Sequence, residues 1–200
     1  MEAVDEHPNA IHRFVLGLTK EEERKSNPPR FWALWGLFAE RVRRAAWLDD
    51  IEGESPRGSN MISALFLGAP WENEIRHWRS LEGYADRVHS LFEGLPAAST
   101  ILEAYLRFLF HIGGQELPGA FVRIARRLQQ GDPVKMLSKD NTVFMLEALL
   151  QQHVYRSPGE VKRQREMREC IMVLLDLLVE RGSSSAFWMR DDFVTPLPMA

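Results

Sequence analysis

Two hundred residues are enough for one medium domain or two small ones, with a core that needs neither disulfides nor a metal. A net charge of −3 excludes a global field that would gather nucleic acid or an anionic membrane, so such binding would need a local patch. The single cysteine, Cys170, excludes an internal disulfide framework and a Cys-rich zinc site, and 45% apolar with 26% charged residues is the balance of a soluble globular chain.

The N-terminal stretch MEAVDEHPNAIHRF is acidic and lacks the basic start and long apolar run of a secretory signal. The longest uninterrupted apolar run, Cys170–Leu175, is far short of a membrane span. A cytoplasmic protein with no membrane association is expected. The first clear helix is NPPRFWALWGLFAERVRRAAW. Asn27 is placed to cap it, and prolines suit a first turn because their missing N–H groups cost nothing there. Phe31, Leu34, Trp35, Phe38 and Val42 recur at i, i+3, i+4, i+7 and i+11, which is one helical face. Arg41, Arg43 and Arg44 fall in its last turns, where cations suit the dipole.

DDIEGESPRGSN has the glycines, proline and polar residues of a loop. After the short apolar segment MISALFLGAPW, the stretch SLEGYADRVHSLFEGL sets Leu81, Tyr84, Val88, Leu91 and Phe92 on one helical face. PAASTILEAYLRFLFHI is a helix with a wide apolar face. PGAFVRIARRLQQG opens on a proline and stops at a glycine, with Phe121, Val122, Ile124, Ala125 and Leu128 as its buried stripe. KDNTVFMLEALLQQHVYR offers Asp140 or Asn141 as a cap. PGEVKRQREMRECIMVLLDLLVERG is charged early and apolar on nearly every side later, so its second half is expected at the centre of the core. SSAFWMRDDF predicts a last short helical turn before the tail VTPLPMA. No segment alternates as a strand does, and the class is all-α.

Thr100-Ile101 and Thr142-Val143 both start apolar helices, and His111-Ile112 and His153-Val154 both end them, at an offset of 42 in each case. That period suits helix-pair repeats. The expected architecture is stacked antiparallel helix pairs in a HEAT-like right-handed superhelix, with an irregular helical bundle as the alternative. Residues 1–50 read as an N-terminal helical segment, 51–60 as a loop, 61–193 as the main repeat-like domain and 194–200 as a tail, together one compact domain.

FLFHIGGQELPGAF has the residues of an active-site loop, with His111 as general base and Glu116 or Gln115 orienting it. Helix grammar accounts for the same residues: Gly113 or Gly114 in a left-handed C-cap, His111 in a last turn, Pro118 starting the next helix. No pair of the six histidines (His7, His12, His77, His89, His111, His153) has the i, i+4 spacing of a HExxH motif. A metal shared by His111 and His153 is the one arrangement the repeat would allow, and neither metal nor cofactor is expected. Asp191 and Asp192 in MRDDFV are adjacent and so point apart on a helix, and Arg190 beside them suits surface ion pairing. The basic clusters RVRR, RIARR and KRQREMR could meet phosphates, but Glu160, Glu166 and Glu169 are interleaved with the last. No phosphate-cradling glycine loop, Rossmann fingerprint or nucleophile elbow is present.

NPPRFWALWGLFAERV, HWRSLEGYADRVHSLFEGLP, FLFHIGGQELPGAF and MRDDFVTPLP resemble the helical C-terminal region of large bacterial multidomain proteins of nucleotide-driven or phage-defence systems. The resemblance covers residues 27–198 and implies a helical accessory domain. It brings no catalytic residue with it.

The expected function is a non-catalytic α-helical protein–protein interaction or scaffold module, with aromatic anchors and arginines at the contact. The candidate contact residues are Trp32, Trp71, Trp78 and Trp188, which flank loops or sit off the apolar stripes, with Arg123, Arg126, Arg127, Arg163 and Arg165. Nucleic-acid binding through the arginine clusters is the alternative. It requires the helices of RIARR and KRQREMR to lie side by side.

Overall fold

The computed structural model describes residues 28–44, 62–63, 65–66, 83–112, 114, 116–156 and 165–194. In chain order the helices are α1 (Pro28–Arg43), α2 (Tyr84–Gly94), α3 (Ser99–Ile112), α4 (Leu117–Gln130), α5 (Pro133–Met136), α6 (Asp140–Arg156), α7 (Arg165–Glu180) and α8 (Ser184–Val194). The described residues contain no strand, and the fold is all-α. None of their helices is long and apolar enough to cross a membrane. Packing divides the chain into two compact units, Met1–Ile112 and Gly113–Ala200. The division falls inside FLFHIGGQELPGAF. The loop expected at 51–60 lies outside the described residues.

The first unit is built on aromatic packing. Trp35, Phe38 and Val42 of the expected α1 stripe are buried, while the side chains of Phe31 and Leu34 are outside the described set. The α2 residues Tyr84, Val88, Leu91 and Phe92 are buried as their spacing requires. Gly83, read from sequence as inside that helix, instead precedes it. Phe92 and Tyr105 stack at 3.9 Å between centroids and 4° between planes, joining α2 to α3. His89 is buried with them. Its Nδ1 is 2.7 Å from the Tyr105 hydroxyl, and its ring meets Phe108 edge-on. Tyr84 donates its hydroxyl to the Phe66 carbonyl, and the Trp35 indole N–H reaches the Leu65 carbonyl at 3.3 Å. The polar ends of these large side chains therefore find acceptors while their rings fill the core.

The ends of α1 and α2 are joined by one side chain. Arg43 Nη2 donates to the Ser90 carbonyl at 3.1 Å. Ser90 lies in the last turns of α2, where a cation offsets the negative end of the dipole. The guanidinium lies over Gly94 so closely that a Cβ there would stand 2.9 Å from Nε and from Nη2. Gly94 leaves that space open.

The second unit is centred on α7, which packs against α4, α6 and α8. Ile171, Leu174, Leu175 and Leu178 are buried, in line with the expected central role of its second half. Each such side chain contributes about 1.5–3 kcal/mol by leaving water. α4 brings Leu117, Ala120, Phe121, Ile124, Ala125 and Leu128, a spacing of i, i+3, i+4, i+7, i+8 and i+11 that makes one face. Val122, expected in that stripe, is only half-buried at its margin.

Helix ends follow local chemistry. Asp132 accepts the Lys135 N–H at 3.1 Å and Pro133 occupies the first turn of α5, an element not expected from the sequence. Asp140 and Asn141, expected as caps, are the first two residues of α6, and the Lys139 carbonyl takes the first helical bonds. α7 ends in a Schellman motif. Gly182 is left-handed (φ 86°), its N–H bonds the Val179 carbonyl at 2.8 Å, and the Ser183 N–H bonds Leu178 at 3.0 Å. The Ser183 hydroxyl then caps α8, accepting the Ala186 N–H at 2.9 Å. The predicted short turn at SSAFWMRDDF is thus an eleven-residue helix. Within the joint, Gly114 is not left-handed, contrary to one form of the expected C-cap, and Gly113 is outside the described residues.

Candidate functional site

α8 follows α7 after a three-residue turn and buries Ala186, Met189 and Phe193. These three fix which side faces inward. At about 100° per residue, the opposite side is centred on Ser184, Trp188 and Asp191, with Phe187 and Val194 along one flank and Asp192 along the other. Trp188 is 65% exposed and Phe187 is 49% exposed. Their rings meet edge-on, with centroids 5.6 Å apart and planes at 82°. The pair keeps a large apolar surface in water. The neighbouring helix α6 leaves Phe144 exposed, opposite its buried stripe of Met145, Leu146, Leu149 and Leu150.

Trp188 is the one candidate tryptophan found well exposed among the described residues. Trp32 is half-buried at the edge of the first unit's core, stacked on Tyr84 at 6.2 Å and set edge-on to Trp35 at 5.8 Å. The Arg87 guanidinium lies 4.6 Å from its ring centroid. Such contacts serve packing. Trp71, Trp78 and Arg163 lie outside the described residues. Phe187 and Phe144 were not singled out from sequence. Both stand off the buried stripes of their helices, which is the signal that would have found them.

α4 and α7 do pack together, as the nucleic-acid alternative requires. One of their arginines is nonetheless paired with a carboxylate on its own helix. Arg165 Nε bonds Glu169 at 2.9 Å. Arg126 sits close enough to Cys170 to favour its thiolate, and Glu166 and Glu169 sit close enough to oppose it. Arg126 therefore shares the surroundings of one thiol with two carboxylates. Arg123 is half-buried and folds back on its own helix, its Nη1 occupying the space where a Cβ on Gly119 would stand at 2.9 Å. Arg127 is half-buried in the last turn of α4. The Cys170 thiol is half-buried, and its pKa is raised, first by burial and then by the Glu166 carboxylate.

His111 ends α3 and Glu116 stands just before α4. His153 packs its ring on Phe121 at 5.4 Å. Asp191 and Asp192 are both exposed on α8 and project about 100° apart, so they do not converge on one ion. Among the described residues, no group of three or more His, Cys, Asp or Glu side chains is gathered as metal ligands would be. No family model, curated protein or solved structure matches the chain.

Proposed function

We propose that this chain is a non-catalytic α-helical interaction or scaffold module that binds another protein. The observation that carries the reading is the Phe187–Trp188 pair, held on the outward side of a helix that is capped at Ser183 and anchored by Met189 and Phe193. Hot spots are enriched in large aromatics, and exposed apolar patches mark interaction sites. HEAT-like stacking of helix pairs is the architecture we favour. Its support is the equivalence of positions 42 apart: Thr100 and Thr142 are both buried near helix starts, and His111 and His153 are both half-buried near helix ends. The resemblance to bacterial multidomain proteins supports an accessory role within or beside a larger assembly.

The test is capture of partners from the cells that make the protein, with mass spectrometry, using the wild-type chain and Trp188→Ala. The expected result is a protein recovered by the wild type and lost with the variant. Recovery of the same proteins by both would overturn the assignment of this surface.

A further inference from the structure

We draw no further inference here: the strongest candidate, the exposed Phe187–Trp188 patch on the outward face of α8, belongs to the site already described, and nothing in the structure shows what covers it.

Discussion

Cys170 shows how surroundings set the behaviour of one side chain. Burial and the Glu166 carboxylate raise its pKa, and the nearby Arg126 only partly opposes them. The thiol therefore ionises at a higher pH than a free cysteine does. A group whose folded pKa is raised contributes stability that is complete below the unfolded value and is lost as pH rises through the folded one. Cys170→Ala is expected to lose less stability than the wild type between pH 7 and about pH 10, read as urea midpoints at the two pH values. At pH 7 the wild-type thiol should react with a disulfide reagent more slowly than free cysteine does. ECIMVLLDLL is a core pattern and suggests a buried Cys170, whereas the residue is only half-buried. Its charged surroundings were not legible, because Arg126 arrives from another helix. For the same reason, Trp32 and Trp188 looked alike in sequence. Only packing against Tyr84 and Arg87 separates the first from the second.

Helices were legible where an apolar stripe ran for several turns, as in α4 and α7. They were less so where length or burial was small. α5 is a single turn announced only by Asp132-Pro133, and α8 buries three side chains among eleven residues. The α7–α8 corner shows how a boundary is enforced. Nothing lies within 4 Å of a Cβ placed on Gly182, so a side chain there would be strained only by its left-handed backbone. Gly182→Ala should therefore cost about 1–2 kcal/mol, the left-handed penalty of an L-residue, with no steric addition. Chemical denaturation measures it. A loss near zero would show that the corner relaxes, and a much larger one that neighbouring atoms resist the methyl group.

Charge is divided unevenly over the whole molecule. Residues 1–112 carry 13 basic and 17 acidic side chains, a net −4, and residues 113–200 carry 12 and 11, a net +1. Even the unit that holds the arginines of α4 and α7 is close to neutral. The chain is therefore expected not to retard a 30-base-pair duplex at about 50 mM salt, where phosphate binding is strongest. A salt-sensitive shift in gel mobility would revive the nucleic-acid alternative. The all-α class could be read from periodicity because each helix declares its own face. The division at Ile112 could not, since a helix–turn–helix joint reads the same whether the helices it links belong to one body or to two.

The seat of Arg43 on Gly94 has a consequence for the protein's history of substitution. Positions 43 and 94 share one small volume, although 51 residues separate them. A larger residue at 94 is accommodated only when the side chain at 43 shortens or turns away. Among relatives of this chain the two positions should change together, and an exchange at either one alone should loosen the same pair of helix ends.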